Sequence, residues 1–300
     1  MTGGRHKPQA KLGIALGAGS ARGWSHIGVI RALAEAGIEP DIVCGCSIGA
    51  LVGAAYVNGD IDTLEKWVAS LDWKGVLGLL DISFNGGLIK GDRLIEFLRR
   101  HFVDHAFEEL AKPFACVATD LENGREIWLR DGSVADAVRA SIAMPGLFKP
   151  LLHDGRLLVD GALVNPVPVS LCRALGADLV IAVDLGSDRP GKGHRQAEVE
   201  PVEGWKQKLL KGLGLRSDTP TKADEEDALP SLVEVLAGSL QIMQVRIARS
   251  RLAGEPADVV LAPRLGHLRT MDYHRGAEAI AEGHAEVERM LPVIKHALEL

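Results

Sequence analysis

Apolar and polar positions along the chain follow two alternating patterns. Short apolar runs, several rich in β-branched residues, predict buried strands at 12–17, 41–46, 114–119, 125–130, 156–161, 177–185 and 258–263. Between them, apolar residues recur at helical spacing and predict helices over 24–37, 49–59, 62–71, 92–102 and 133–143. This alternation with short connections predicts an α/β fold whose mainly parallel central sheet is covered by helices. A Glu-Asn-Gly turn joining 114–119 to 125–130 predicts one antiparallel hairpin.

One long segment departs from this alternation. Residues 187–229 are rich in charge, Gly and Pro and poor in β-branched residues, which predicts a loop or lid-like excursion. We therefore expect a single domain over 11–300 that contains this excursion, preceded by a disordered tail at 1–10. Within the excursion, 204–216 is basic and amphipathic. That composition is typical of a surface helix packed on its own domain, with a lid or lipid-facing helix as the alternative.

A second helical segment, 230–254, carries an apolar stripe. Its members are Leu232, Leu236, Leu240, Met243 and Ile247. A stripe at this spacing predicts packing against the core, with an interface as the alternative. The oligomeric state is left open.

Composition narrows the class of protein. The chain has 300 residues, of which 47% are hydrophobic and 25% charged, with a formal net charge of -6. This indicates a globular protein with a sizeable core and argues against nucleic acid as a partner. No run approaches the ~18 apolar residues of a membrane span, and residues 1–10 lack the apolar region of a signal peptide, so we expect any membrane contact to be peripheral. The cysteines show no metal-ligand spacing, which predicts reduced thiols, no metal and a cytoplasmic location. They are Cys44, Cys46, Cys116 and Cys172.

The stretch Gly45-Cys46-Ser47-Ile48-Gly49 lies where a predicted strand passes directly into a predicted helix. A chain that turns this sharply crowds its own backbone, so the residues two before and two after the turn must lack side chains. Gly45 and Gly49 meet that requirement and predict a nucleophile elbow that presents the Ser47 hydroxyl. The alternative is an ordinary turn with a helix-capping serine.

A second glycine-rich turn, Gly17-Ala18-Gly19-Ser20-Ala21-Arg22-Gly23, follows the first predicted strand. Backbone N–H groups at such a turn bind anionic oxygen. A dinucleotide fingerprint requires its third glycine one position earlier, and a Walker A loop requires a Gly-Lys-Ser/Thr ending, so no nucleotide cofactor is expected. The turn suits an oxyanion hole if strands 12–17 and 41–46 are neighbours. Arg22 has three open roles, which are orienting the loop, binding a phosphate and solvating a helix start.

A nucleophilic serine also requires a base. None of the ten histidines stands out by its context, although His26, His267 and His274 are candidates. The notable acid is Asp160, at the end of a predicted strand and before a Gly-Ala turn, because the carboxyl edge of an open α/β sheet holds its sites. The alternative role of Asp160 is to cap that turn.

Five separated motifs resemble those of the patatin-like phospholipases, and more closely those of the RssA-type bacterial branch. They are GAGSARGWSHIGVI, GCSIGALVGAAY, GGLIKGDRL, RASIAMPGLF and LVDGALVNPVPVS, and the likeness extends to the segment 270–288. The resemblance implies a three-layer α/β/α fold, with Ser47 as nucleophile, Asp160 as base and no catalytic histidine. It implies an oxyanion hole at Gly17, Ala18, Gly19, Arg22 and Gly23. Many members have three consecutive glycines where this chain has Gly-Ala-Gly.

The resemblance further implies a serine acyl hydrolase that needs no cofactor or metal. Its expected substrate is a lipid ester, either a phospholipid or a lysophospholipid, cleaved through an acyl-serine intermediate. A thioesterase or general esterase with the same Ser-Asp dyad is one alternative. A weakly active lipid-sensing or protein-binding module is a second, and a nucleotide-binding protein is a third.

Overall fold

The computed structural model describes residues 10–72, 105–187 and 232–300, together with Glu96 and Arg99. Within these ranges eight strands form one sheet. The strands are β1 Leu12–Leu16, β2 Ile42–Cys46, β3 Phe114–Asp120, β4 Glu126–Leu129, β5 Leu151–His153, β6 Arg156–Asp160, β7 Leu179–Val183 and β8 Val259–Leu261.

Five of these strands, in the order β8-β7-β1-β2-β3, run parallel and make up the body of the sheet. β1 and β2 are neighbours, as the oxyanion-hole hypothesis requires. β4 pairs antiparallel with β3, which confirms the predicted hairpin. β6 also pairs antiparallel with β3, and β5 pairs antiparallel with β6.

The pairing register of β3 brings the ends of two distant strands together. Val117 of β3 pairs with Cys46 of β2 on one edge and with β4 on the other. The next residue, Ala118, pairs with β4 and with Asp160 of β6, so β6 occupies the same edge as β2. β2 and β6 run in opposite directions along that edge, and their last residues therefore meet. Ser47, the residue after β2, lies at this junction.

Helices cover both faces of the sheet. They are α1 Ser25–Glu35, α2 Ile48–Val57, α3 Ile61–Ser70, α4 Val134–Ser141, α5 Val169–Ala174, α6 Leu232–Gly254 and α7 Gly276–Ala297. Short 3₁₀ helices occupy Ser20–Trp24, Phe107–Glu109, Gly161–Leu163 and Tyr273–Arg275.

Successive side chains along each strand alternate between two hydrophobic cores, one on each face of the sheet. In β1, Ile14 and Leu16 pack with α1, α2, α4 and α7, whereas Ala15 packs with α5 and the Ala248 region of α6. Adjacent residues of a strand point to opposite faces, which is why one short apolar run serves both cores. The result is a helix-sheet-helix arrangement of three layers, as predicted.

Two glycines let α1 and α7 pack closely. A Cβ atom on Gly28 would lie 1.9 Å from the carbonyl oxygen of Ile280, and one on Gly283 would lie 2.0 Å from that of Ser25. Side chains at these positions would therefore separate the helices. The close contact anchors the C-terminal helix beside the glycine-rich turn that precedes α1.

The chain forms two compact units, Met1–Arg189 with Met243–Leu300, and Pro190–Ile242. In the second unit the structure describes the helical residues from Leu232 onward. Several predicted features lie outside the described residues, namely the tail before residue 10, the helix over 92–102, the amphipathic segment 204–216, the GGLIKGDRL motif and nearly all of the excursion 187–229.

The apolar stripe of α6 is less buried than predicted. Met243 is 53% exposed, and Leu240 and Ile247 are only partly buried. The residue of this region that enters the core is Ala248, because it faces the sheet beside α5. The side chains of Leu232 and Leu236 lie outside the described set.

All four cysteines are free and buried. Three contribute to the cores on either side of β2 and β3, where burial raises the pKa of the Cys44 and Cys116 thiols. Cys46, directly before Ser47, is fully buried, and burial raises its pKa as well. The Cys44, Cys46 and Cys116 thiols are therefore protonated packing groups, consistent with the expected reduced state.

Candidate active site

Ser47 occupies a strained turn between β2 and α2. Its backbone angles, φ 54° and ψ -123°, are rare for a residue with a side chain. A Cβ on Gly45 would lie 2.5 Å from the Ala50 Cα, and one on Gly49 would lie 2.1 Å from the Leu16 carbonyl oxygen. The elbow can close only because both positions lack side chains, which agrees with the expectation from the sequence.

Ser141, at the end of α4, forms a hydrogen bond with the backbone of the elbow. The Ser47 N–H donates to the Ser141 hydroxyl at 2.9 Å, and that hydroxyl donates to the Val117 carbonyl at 2.7 Å. Sequence reasoning missed this role, although Ser141 lies within the RASIAMPGLF motif. The contact ties the strained turn to the centre of β3.

The Ser47 hydroxyl donates to Asp160 Oδ2 at 2.7 Å. The other carboxylate oxygen, Oδ1, accepts the Ala162 N–H at 2.8 Å, which fixes the orientation of the carboxylate. The Asp160 backbone is held as well, because its carbonyl accepts the Thr119 hydroxyl at 2.8 Å and its N–H donates to the Ala143 carbonyl at 3.0 Å. Asp160 thus both caps its turn and hydrogen-bonds Ser47, so the turn-capping role and the contact with Ser47 coexist.

Burial changes the acidity of this carboxyl group. Asp160 is fully buried, and burial raises its pKa from the ordinary value of 3.8 to about 6. The hydrogen bonds from the Ala162 N–H and the Ser47 hydroxyl favour the charged form and oppose part of that rise. Asp160 is therefore ionised at neutral pH yet more basic than an exposed aspartate.

The candidate histidines lie in other settings. His26 is fully buried, its Nε2 donates to the Gly17 carbonyl at 2.7 Å, and burial lowers its pKa to about 4. It is a neutral side chain that holds the glycine-rich turn. His267 pairs with Glu278 at 2.7 Å on the surface. Among the described residues, the hydrogen bonds of Ser47 and Asp160 include no histidine.

Several predicted oxyanion-hole donors are already engaged. The Gly17 N–H donates to the Val183 carbonyl at 3.1 Å, and the Ala18 N–H donates to the Pro166 carbonyl at 2.8 Å. The Arg22 N–H donates to the Gly19 carbonyl at 3.2 Å within the 3₁₀ turn. The structure therefore corrects the expectation for these three N–H groups, because each has a partner within the fold.

Two N–H groups of the turn remain free. Those of Gly19 and Ser20 have no hydrogen-bond partner in the part of the chain that the structure describes. Gly23 acts through its size, since a Cβ there would lie 2.0 Å from the Ile48 side chain and push the turn away from α2. The Arg22 side chain donates from Nε to the Leu268 carbonyl at 2.9 Å, which supports its role in orienting the loop.

An apolar pocket opens beside Ser47. Its apolar walls include Leu51, Trp67, Leu71, Ile142, Leu147 and Phe148. Ser47, Ser20 and Tyr273 contribute polar groups to the lining. The apolar lining suits a ligand with a long apolar part.

The described residues contain no group of three or more His, Cys, Asp or Glu side chains placed to hold a metal ion. In the same part of the chain, no helix combines the length and the hydropathy needed to span a membrane.

A family model for patatin-like phospholipases matches residues 14–173, more than half of the chain and a range that includes both Ser47 and Asp160. The chain belongs to the patatin-like phospholipase family. This confirms the resemblance stated from the motifs, and with it the prediction of a lipid hydrolase, whereas the assignment to the RssA-type branch stays a prediction.

Relatives of this patatin-like phospholipase occur in bacteria and eukaryotes. An uncharacterized NTE family protein of Mycobacterium bovis is 33% identical, covering 94% of this chain and 91% of that protein. Human patatin-like phospholipase domain-containing protein 6 is 37% identical over 59% of this chain and 13% of its own length. The lysophospholipase nte1 of Emericella nidulans is 35% identical over 59% of this chain and 12% of its length.

The fold also has a counterpart among solved structures. VipD of Legionella pneumophila superposes with a TM-score of 0.59 and 18% identity, covering 95% of this chain and 67% of that one. This likeness confirms the predicted α/β fold.

Proposed function

We propose that this protein hydrolyses a carboxylic ester of a phospholipid or lysophospholipid through an acyl-Ser47 intermediate. The observation that carries the proposal is the 2.7 Å hydrogen bond from the Ser47 hydroxyl to the fully buried Asp160, at the wall of an apolar pocket. A serine next to a base and beside free N–H donors is the arrangement that acyl transfer requires.

In the first half of the reaction, the Ser47 oxygen attacks the ester carbonyl carbon while its proton passes to Asp160 Oδ2. The negative charge that develops on the carbonyl oxygen is stabilised by the free N–H groups of Gly19 and Ser20. When the tetrahedral intermediate collapses, Asp160 returns the proton to the departing alcohol. The raised pKa of Asp160 assists the first of these transfers, because a stronger base is a better proton acceptor at neutral pH.

In the second half, water replaces the alcohol. Asp160 accepts a proton from this water as it attacks the acyl carbon, and the same donors hold the second oxyanion. Collapse releases a fatty acid and returns the proton from Asp160 to Ser47. The Ala162 N–H keeps the carboxylate oriented through both halves.

The pocket supports a lipid acyl chain as the group bound beside Ser47. Each methylene removed from water contributes roughly 0.8 kcal/mol, so walls such as Leu51, Ile142 and Phe148 favour a long chain over a short one. The printed names of the relatives, a phospholipase-domain protein and a lysophospholipase, support the same class. We expect the protein to work in the cytoplasm at a membrane or micelle surface.

A substrate panel tests this proposal. Wild type and Ser47→Ala are assayed on a short-chain ester, a thioester, a phospholipid and a lysophospholipid, and both are treated with a fluorophosphonate probe. Hydrolysis and labelling by wild type alone would support an acyl-serine enzyme, and preference for the lipid esters would support the substrate class. Preference for the thioester would redirect the proposal to a thioesterase. Absence of labelling in folded protein would contradict it in favour of a binding module.

Two histidine variants provide matched controls for the base. His267→Ala and His274→Ala should retain hydrolysis, whereas Asp160→Asn should lose nearly all of it. A histidine variant that folds and is as inactive as Ser47→Ala would contradict the Ser-Asp dyad.

A further inference from the structure

The C-terminal segment 268–273 is bonded to the glycine-rich turn. The Arg22 side chain donates to the Leu268 carbonyl at 2.9 Å, and the Ala21 N–H donates to the Thr270 carbonyl at 3.2 Å. The hydroxyl groups of Ser20 and Tyr273 are 2.5 Å apart. This segment lies outside residues 14–173, which the family model matches. A part of the chain far along the sequence thus contacts the turn that carries the free N–H groups.

Ser20 and Tyr273 both line the pocket that contains Ser47. Ser20 is 5% exposed, and the Tyr273 ring packs edge-on against Trp24 with ring centres 6.1 Å apart. The two hydroxyl groups therefore meet at the pocket wall, where Ser20 is buried and Tyr273 is partly buried.

The Ser20 and Tyr273 hydroxyl pair has one hydrogen-bond donor that the bond between them does not use. Two hydroxyl groups carry two hydrogens, and the bond between them uses one. Neither side chain has another hydrogen-bond partner in the described residues. Burial raises the pKa of Tyr273, and the nearby Asp160 charge raises it further, so the phenol keeps its hydrogen at neutral pH. One hydroxyl hydrogen is therefore free at the pocket wall.

The backbone at Ser20 is also unusual. Its φ of 51° lies in the left-handed region, which is unfavourable for a residue with a side chain. Such a conformation persists only when neighbouring groups hold it. The free N–H groups of Gly19 and Ser20 depend on this conformation for their direction. The bond to Tyr273 is the side-chain contact that restrains Ser20 here.

We propose that Tyr273 is a positioning residue, which holds Ser20 so that the Gly19 and Ser20 N–H groups and the Ser20 hydroxyl converge on the oxyanion of the acyl-transfer step. In this arrangement the Tyr273 hydroxyl donates to Ser20 Oγ, and the Ser20 hydroxyl hydrogen is the spare donor. The proposal rests on the proposed hydrolase function. It assigns part of the active site to a segment that joins the pocket only in the folded chain.

The test compares the only two tyrosines of the chain. Tyr273→Phe removes the hydroxyl and keeps the ring against Trp24. Tyr56→Phe is the matched control, because the Tyr56 hydroxyl accepts a hydrogen bond from Lys112 at 3.3 Å and is not part of the pocket lining. Loss of one oxyanion donor costs roughly 100- to 1,000-fold in kcat, and a misplaced one should cost at least about 10-fold. We expect Tyr273→Phe to lower kcat by at least about 10-fold and to change KM by no more than about twofold relative to wild type. Tyr56→Phe should leave both kcat and KM unchanged.

Ser20 variants keep the test informative if Tyr273→Phe folds poorly. Ser20→Gly removes the hydroxyl, and the strain it relieves at φ 51° offsets part of the lost hydrogen bond, so it should still fold and should lose kcat. The double variant Ser20→Gly with Tyr273→Phe should be no slower than the slower single variant, since both changes disable one unit. In all these variants, the pH at which kcat/KM declines on the acidic side, which we assign to Asp160, should be the same as in wild type.

Three results would overturn the proposal. One is an unchanged kcat in folded Tyr273→Phe or Ser20→Gly. A second is a raised KM at constant kcat, which would assign the pair to ground-state binding. The third is a shifted acidic limb, which would show that the change acts through Asp160. If wild type lacks any Ser47-dependent turnover, the hydrolase function itself fails and this proposal fails with it, a result distinct from the other three.

Discussion

Replacing Asp160 with asparagine should abolish hydrolysis and, at neutral pH, stabilise the fold. The carboxylate is fully buried, and its pKa rises from 3.8 in an ordinary setting to about 6 in the folded protein. Between these two values the folded state binds more protons than the unfolded chain. The stability associated with the neutral carboxyl group is therefore fully present below pH 3.8 and is lost as the pH rises through 6.

The magnitude follows from the size of the shift. A difference of about two pKa units corresponds to about 3 kcal/mol that the wild-type protein loses between the two pH values. Asparagine is neutral at every pH and avoids this loss. Its side-chain oxygen can accept the Ala162 N–H, and its amide can donate to the Ser47 hydroxyl, so neither buried neighbour loses its hydrogen bond.

Urea unfolding from pH 3.5 to 8 measures the effect. Asp160→Asn should match wild type near pH 3.5 and exceed it by up to about 3 kcal/mol above pH 7. Asp154→Asn is the matched control, because that carboxylate is 90% exposed and its replacement should leave the unfolding curves unchanged. Equal or lower stability of Asp160→Asn above pH 7 would refute the reasoning that burial of this carboxylate opposes folding.

Three further predictions concern the rate and the elbow. kcat/KM should fall tenfold for each pH unit below about 6, because protonated Asp160 cannot accept the Ser47 proton; a flat profile down to pH 4.5 would contradict this. Ser47→Gly should be more stable than Ser47→Ala by about 1 kcal/mol or more in thermal or urea unfolding, since glycine relieves the strain at φ 54°, and the opposite order would argue against that strain. Gly49→Ala should fail to accumulate as folded protein, because its Cβ would lie 2.1 Å from a backbone oxygen, whereas Gly254→Ala, at an exposed helical position with open space around it, should express and remain active.

Much of the fold follows from local patterns. The runs at 12–17 and 41–46 are apolar on both sides, as parallel strands between two helical layers must be. β5 was not predicted, because Leu151–His153 has only three residues and follows a proline, too short a run to show a period. The predicted helix at 24–37 is preceded by a 3₁₀ turn, Ser20–Trp24, which was not predicted. The backbone and side chains of this turn form hydrogen bonds to the segment 268–273, a tertiary contact that the local sequence does not show.

The candidate active site also has some features that local sequence predicts and others that depend on tertiary structure. The elbow could be predicted from Gly45 and Gly49, because the tight turn between them leaves no room for side chains at these two positions. The glycine-rich turn predicted a binding site for anionic oxygen, but the sequence did not show which of its N–H groups lack a hydrogen-bond partner within the fold. The carbonyls of Val183 and Pro166, which engage Gly17 and Ala18, lie on elements more than 140 residues away along the chain.

By itself, the sequence determined the alternation of strands and helices, the strained serine turn and the family. These features depend on side-chain size and polarity within a few neighbouring residues, which a sequence displays directly. Only the tertiary structure decided which groups surround Ser47. Asp160 reaches it because β2 and β6 end against each other on one edge of β3, and Tyr273 reaches Ser20 because α7 packs closely on α1. Both contacts join residues more than 100 positions apart, and such pairs are set by sheet register and helix packing rather than by any local pattern.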